Sequence, residues 1–450
     1  MTNQPRRAEA AAAIPRHKIE ILSITALSPY HRNARTHSDK QIAQIAESIR
    51  QFGFVNPIIC SSDNEIIAGH GRWLAAKRLD LGEVPVVRID HLSQSEIRAY
   101  RIAENRLAEH AGWDLELLGI EFRELDTLCV DFDLEITGFE SAEIDNFLLG
   151  TDPLIGEPSL SEIPNDGVPI TAPGDIWQMG DHRLVCGDAR SAEAYQSLMK
   201  DELADCVFTD PPYNVAIAGH VCGSGKIQHR EFAMASGEMS SDEFTLFLEA
   251  TLGPMAKASK SGAIHFVCMD WRHQDELLRA GRQVYSDLKN MAVWVKSNAG
   301  MGSFYRSQHE LIYVFKSGST PHTNNVKLGQ YGRSRSNVWQ YAGVNSFGSD
   351  RENLALHPTV KPVALVADAI RDVTKKGQIV LDGFGGSGST LIAAEQVRRK
   401  ARLIEIDPVY CDVICERFRK LTGKSAVHEA SGASFEELKL SRSECELEPE

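Results

Sequence analysis

IVLDGFGGSGSTLIAAEQV, residues 379 to 397, runs from an apolar strand through a turn with glycines at 383, 385, 386 and 388 into a stretch of helical composition. Strand, glycine turn and helix in that order make one half of a nucleotide-binding unit. A glycine has no Cβ, so the backbone there can approach a ligand closely. The next strand, RLIEI, ends near Glu405, which lies 17 residues beyond Gly388. An acidic residue about 20 residues past such a turn commonly bonds ribose hydroxyls. The ligand therefore contains a nucleoside. It is not required to be a dinucleotide, because the turn lacks the G-x-G-x-x-G spacing and nothing suggests hydride chemistry.

A second element, TDPPYN at 209 to 214, follows the apolar run CVF at 206 to 208. That run reads as a buried strand that delivers Asp210 to the carboxyl end of a sheet, where ligand crevices lie. Pro211 and Pro212 stiffen the loop by fixing φ and removing N–H donors. An exocyclic amine on a nucleobase is a poor nucleophile, since its lone pair is delocalised into the ring. A group-transfer site must accept both of its N–H bonds, and Asp210 with the Pro211 carbonyl supplies two acceptors. Such a base reaches the site only when extruded from the duplex, and Tyr213 offers a ring for it to stack on. Asn214 is open to two roles, a bond near the base edge or a cap on the turn.

In this order the two elements resemble amino-methyltransferases acting on DNA, the class in which the Asp-Pro-Pro-Tyr element precedes the glycine-rich one, over roughly residues 174 to 422. The resemblance implies S-adenosylmethionine as cofactor, with Asp382, Phe384, Gly385, Gly386 and Gly388 around its methionine end and Glu405 on its ribose. Asp188, in LVCGDA, matches the acid near the adenine ring, and His357, Pro358, Thr359, Lys361 and Pro362, in HPTVKP, match the element bordering the methionine moiety. One departure stands out: the family usually has proline after the strand-ending aspartate, where this chain has Gly383, which puts cofactor affinity rather than chemistry at stake. The implied activity is methylation of the N6 amino group of adenine in double-stranded DNA by base flipping, with no metal required. Its rivals are N4 methylation of cytosine and a DNA-binding adaptor whose transferase is vestigial. A companion restriction enzyme is compatible with the resemblance.

The chain of 450 residues is long enough for two or three domains. With 42% hydrophobic and 24% charged residues, and no apolar stretch of about 20 residues, it reads as soluble and globular. Nine cysteines, with no C-x-x-C pair, speak against a disulfide framework or zinc ribbon and for a reducing, cytoplasmic compartment. Cys411 and Cys415 read as one packed helix face. A net charge of −14 sits oddly with DNA binding, but residues 286 to 336 carry +5 and are interleaved with Trp294, Phe304, Tyr305, Tyr331 and Trp339. Residues 297 to 307 and 318 to 350 are the expected DNA-contact and target-recognition segments. The stretch from 429 to 450 carries −5, and 425 to 450 reads as a disordered acidic tail.

Residues 1 to 17 read as a disordered lead, and 148 to 173, with five prolines from 151 onward, as a linker. Between them, residues 18 to 147 read as a separate small α/β unit. EIIAGHGRWLAAKRL gives a strand, a tight glycine turn and a basic helix, and resembles the ParB-like N-terminal domain. That resemblance implies a nucleotide phosphate or DNA as ligand, and a turn at a helix N-terminus suits anions. Sulfiredoxins share this fold but need a cysteine where His70 stands. A homodimer is compatible with the reading. From 174 to 424, alternating strands and helices imply a doubly wound, mostly parallel sheet of Rossmann-like methyltransferase type in permuted order.

Overall fold

The computed structural model describes residues 17 to 445 apart from 129, 150 to 168, 216 to 233, 298, 300 to 303, 332 and 343 to 359. It forms two compact units, Met1–Gly150 and Thr151–Glu450. In the first, strands β1 (Ile19–Ser23), β2 (Ile58–Ser61), β3 (Ile66–Ala68) and β4 (Glu83–Ile89) make a mixed sheet in the order β1-β4-β2-β3. Its core is Ile24, Leu27, Ile58, Ile66, Trp73, Val84 and Val86. Gly69 caps the helix His70–Arg78 at φ +97°, a left-handed conformation that glycine adopts at little cost. Phe122, Leu134, Ile144 and Leu148 form an apolar cluster of their own, joining the helices Leu115–Thr127 and Ser141–Leu149.

The second unit is built on β5 (Ile176–Met179), β6 (His182–Cys186), β7 (Ala204–Thr209), β8 (Ser259–Met269), β9 (Asp287–Val295), β10 (His309–Lys316), β11 (Val338–Gln340), β12 (Ile379–Asp382), β13 (Lys400–Glu405) and β14 (Val427–His428). Their order is β11-β9-β10-β8-β7-β12-β13-β6-β5-β14. The five central strands from β8 to β6 are parallel, and antiparallel strands extend both flanks. Helices Ala192–Met199, Ser241–Lys257 and Gln274–Val284 pack in series, as do Val363–Val373, Ser389–Gln396 and Pro408–Thr422. In the helix Val363–Val373, Val363, Val366, Ala369 and Ile370 recur at helical spacing and are fully buried. The chain leaves β7 toward β8 on one side and leaves β12 toward β13 on the other, so the topological switch point falls between β7 and β12. Crevices for ligands open at such a point.

Two boundaries differ from expectation. Residues 170 and 171 are part of the second unit rather than linker, because the Ile170 and Thr171 amides donate to the Asp412 carboxylate at 2.7 and 2.9 Å and Trp177 Nε1 donates to Thr171 Oγ1 at 3.0 Å. The acidic tail is likewise ordered up to 445. β14 pairs with β5, Ser434 caps the helix Phe435–Cys445, and Phe435 is buried against Trp177. Glu429 and Glu436 are paired with Lys200 and Arg419, so burial of Phe435 and ion pairs together hold this stretch.

Candidate active site

Four parallel strands end side by side at the switch point, and each ends in a residue singled out by the sequence. β7 delivers Asp210, β12 ends on Asp382, β13 ends on Glu405, and β6 leads to Asp188. They line one cavity of about 1180 Å³, its open mouth included, together with Pro211, Pro212, Tyr213, Lys361, Phe384, Gly385 and Gly386. The acceptor element and the glycine-rich element therefore share one space. His357, Pro358 and Thr359 lie outside the described residues.

On the glycine side, the loop is held by carboxylates. Asp382 accepts from Thr209 Oγ1 at 2.9 Å, from Thr390 Oγ1 at 2.7 Å and from the Phe384 amide at 3.0 Å. Burial raises its pKa to about 7 against those bonds. Glu405 accepts from the Gly386 amide at 2.6 Å and from the Asp407 amide at 2.9 Å. The Gly385 and Gly388 amides are also used, donating to Ile404 and Gly385 carbonyls at 2.8 Å. These glycines contribute space and turn geometry rather than free donors, with Gly388 at φ +86° as the cap of the following helix. The cavity fits the implied cofactor on an observation of its own: Ser389 Oγ, buried on the cavity wall at that helix start, has no hydrogen-bond partner among the described residues. Gly383 follows from the packing beneath it, since a Cβ there would come within 2.8 Å of Met255 Cε and 3.1 Å of Tyr195 Oη.

Asp188 is paired with Arg190, whose guanidinium approaches Oδ2 at 2.6 Å and, with the Arg190 amide, holds its carboxyl below the usual range. Burial, against the amides of Asp407 and Gly386, raises the pKa of Glu405 to about 7 from an ordinary 4.5. Between those values the folded chain keeps a proton that the unfolded chain releases, so the group's contribution to stability falls as pH rises through that window.

On the acceptor side, Asp210 lies in a cluster that the sequence did not disclose. Tyr213 Oη donates to Asp210 Oδ1 at 2.5 Å and lies 3.3 Å from Glu310 Oε2. Lys361 Nζ reaches Asp210 Oδ2 at 2.5 Å, Glu310 Oε2 at 3.0 Å and Tyr213 Oη at 3.1 Å. Lys296 pairs with the other oxygen of Glu310. Two carboxylates and two ammonium groups thus balance formally. Burial raises the pKa of Asp210, Glu310 adds to the rise, and Lys361 opposes it. Glu310, despite its own burial, is driven down to about 2 by the two lysines. Lys361, expected at the cofactor's methionine end, lines the shared cavity and directs its ammonium group to Asp210. Asn214, at φ +53°, spends its side chain on residues 237 to 239, accepting from the Gly237 and Met239 amides and donating to the Met239 carbonyl at 2.8 Å. It anchors the loop rather than reading a base edge. The one sequence signal for Glu310 is a lone acid opening an otherwise apolar strand in a basic stretch.

Among the described part of 286 to 336, Trp294 and Tyr331 are buried, as is Trp339 nearby, while Phe304 and Tyr305 are 83% and 87% exposed. Arg333 and Arg335 are tied to Asp368 and Asp372. Among the described residues, no group of three or more His, Cys, Asp or Glu could hold a metal ion, and no helix is long and apolar enough to cross a membrane.

Residues 204–416 match the DNA methylase family and residues 8–106 the ParB N-terminal domain, so the chain joins a DNA methylase of the N6/N4 class to a ParB-like domain. Residues 116–173 match the ParB-methyltransferase helix-turn-helix domain, which covers the separate helical cluster of the first unit. The chain is similar to the type II methyltransferase M.HpaI of Haemophilus parainfluenzae, at 24% identity over 251 residues, 53% of this chain and 74% of that protein. It is similar to the ParB-like nuclease domain-containing protein YnaK of Escherichia coli K12, at 48% identity over 79 residues, 18% of this chain and 91% of that protein. Among solved structures, the cytosine-N4-specific PvuII DNA methyltransferase aligns with a TM-score of 0.42 and 18% identity over 58% of this chain and 91% of its own.

Proposed function

We propose that this chain methylates the N6 amino group of adenine in double-stranded DNA, with the target base everted into the cavity bounded by Asp210 and Tyr213. The observation that supports this reading is the shared cavity, which Asp210 and Glu405 both line from the ends of β7 and β13, with β12 between them. S-adenosylmethionine, when bound, supplies an electrophilic methyl group. Glu405, its side chain fixed by the Gly386 and Asp407 amides, holds the ribose, and Ser389 Oγ has a free donor for the polar end. Asp210 and the Pro211 carbonyl accept the two amine hydrogens and localise the nitrogen lone pair. Among the described residues that carbonyl accepts no other hydrogen bond. As the N–C bond forms, the S–CH3 bond would break and its electron pair stay on sulfur as a neutral thioether, while the amine sheds one proton to Asp210. Proximity and oriented charge supply most of the acceleration. Tyr213, its hydroxyl engaged by Asp210, presents a fixed ring to the base. Adenine is preferred to cytosine because aspartate opens the element, a tendency of the family this chain resembles.

Transfer of labelled methyl from S-adenosylmethionine to unmethylated DNA, followed by digestion to nucleosides, tests the reading. It expects label in 6-methyladenine, and label confined to 4-methylcytosine would overturn the base assignment. Cofactor affinity should depend on pH through Glu405. Ribose hydroxyls donate to the ionised carboxylate, so affinity falls as pH drops through about 7, approaching about tenfold weaker per unit below that. Calorimetry at pH 6 and pH 8 checks the sign.

Phe304 and Tyr305 lie on the turn joining β9 to β10, the same hairpin that carries Lys296 and Glu310. Their exposed rings are proposed to stack in the duplex beside the vacated position. Replacing both with alanine should weaken DNA binding by about tenfold or more, from roughly 1–3 kcal/mol per stacked ring, while cofactor binding stays unchanged. Fluorescence anisotropy with labelled duplex measures the first and calorimetry the second.

A further inference from the structure

We propose that Lys361 and Glu310 are positioning residues that act on the amine acceptor through charge: Lys361 holds Asp210 ionised, and Glu310 competes with Asp210 for the same ammonium group. This rests on the reading of Asp210 as acceptor and goes beyond it. Lys361 is 4% exposed, and its Nζ has acceptors at 2.5, 3.0 and 3.1 Å in Asp210, Glu310 and Tyr213. Its three N–H donors are thereby committed to this cluster, which leaves none for a cofactor carboxylate. Its charge also lies 5.5 Å from the Tyr213 ring centroid and 5.9 Å from that of Trp294, so aromatic faces flank it. A lysine buried this deeply costs desolvation unless opposite charge compensates it, and both compensating charges are carboxylates of the reaction pocket.

The arrangement gives Asp210 what its chemistry needs. A carboxylate buried beside a second carboxylate tends to take up a proton, and a protonated Asp210 has lost the charge that draws the amine hydrogens. The Lys361 ammonium group counters both tendencies. Glu310 in turn divides the pull of Lys361, while Lys296 neutralises part of Glu310. The other titratable groups facing Asp210 are the Tyr213 hydroxyl on its own loop, Cys268 on β8 and Asp382 on β12. Tyr213, with burial and the two carboxylates holding its pKa well above 10, and Cys268, likewise raised by burial, stay neutral around pH 7. The charge that can vary is that of Asp382, which every variant below retains.

The test is the acid limb of the single-turnover methylation rate, measured on full-length protein with saturating S-adenosylmethionine and unmethylated DNA. Lys361→Gln should move the limb to higher pH by about 1–3 units, so that activity lost near neutrality returns in alkali. Glu310→Gln should move it the opposite way, to lower pH by about one unit. Lys361→Arg keeps the charge and should stay near the wild-type limb. A merely structural role would depress the rate without displacing the limbs in opposite directions. Limbs that stay in place, or that shift in the same direction in both glutamine variants, overturn the proposal. If Lys361→Gln does not fold, Glu310→Gln alone decides: a lowered limb supports the proposal, and an unmoved or raised one overturns it. Asp210→Asn separates the two levels. Should that variant methylate at the wild-type rate, the acceptor reading itself fails; should it be inactive at every pH while the other limbs stay in place, only the charge proposal fails.

Discussion

Asp210→Asn is expected to lower the methylation rate by about 10²- to 10³-fold while S-adenosylmethionine still binds. The substitution preserves shape but replaces an anionic acceptor with an amide. An amide presents a donor toward the target amine, or toward Lys361 Nζ, which now lies 2.5 Å from Oδ2. The Lys361 charge loses one of its two carboxylates, so some loss of thermal stability should accompany the loss of rate. A thermal melt under the assay conditions separates the two effects. Cofactor affinity should be spared, because the hydrogen bonds of the Asp210 side chain among the described residues go to Tyr213 and Lys361 and none to the glycine loop.

Glu405→Ala is expected to do the reverse, weakening S-adenosylmethionine binding by about 10²-fold or more, from the loss of charge-assisted bonds worth roughly 1.5–3 kcal/mol each. The side chain has two jobs. One is toward the ribose, and the other is internal, since its two oxygens hold the Gly386 and Asp407 amides at 2.6 and 2.9 Å. Removing it leaves both amides without their acceptor and loosens the turn that opens the cavity. Glu405→Gln keeps one acceptor oxygen and should fall between wild type and alanine in calorimetric affinity. Wild-type affinity in the alanine variant would show that the ribose is held elsewhere.

Much of this site was legible because its parts are local. A strand, a glycine turn and a helix follow from apolar run, glycine spacing and composition, and the parallel sheet that results brings the ends of β6, β7, β12 and β13 together without further information. Asp210 and Glu405 follow from that rule, whereas Asp188 and Asp382 come from the family resemblance. The Glu310 cluster is different in kind. Glu310 meets Tyr213 across 97 residues, through pairings of β10 with β8 and β9 that belong to the antiparallel flank. No local pattern encodes which carboxylate will face Lys361. In the basic stretch, likewise, Arg333 and Arg335 are paired with Asp368 and Asp372, which come from a later helix. In the acidic tail, charge counting hid the burial of Phe435 and the cations that pair with Glu429 and Glu436 from elsewhere in the chain.

The most direct measurement is mass-spectrometric quantification of modified nucleosides in DNA from a host without endogenous methylation, expressing either the wild-type chain or Asp210→Asn. A single pocket that joins an amine acceptor to a methyl donor predicts 6-methyladenine with the wild type and background with the variant. Equal methylation from both chains, or no methylated base from a folded wild type that binds S-adenosylmethionine, would contradict it.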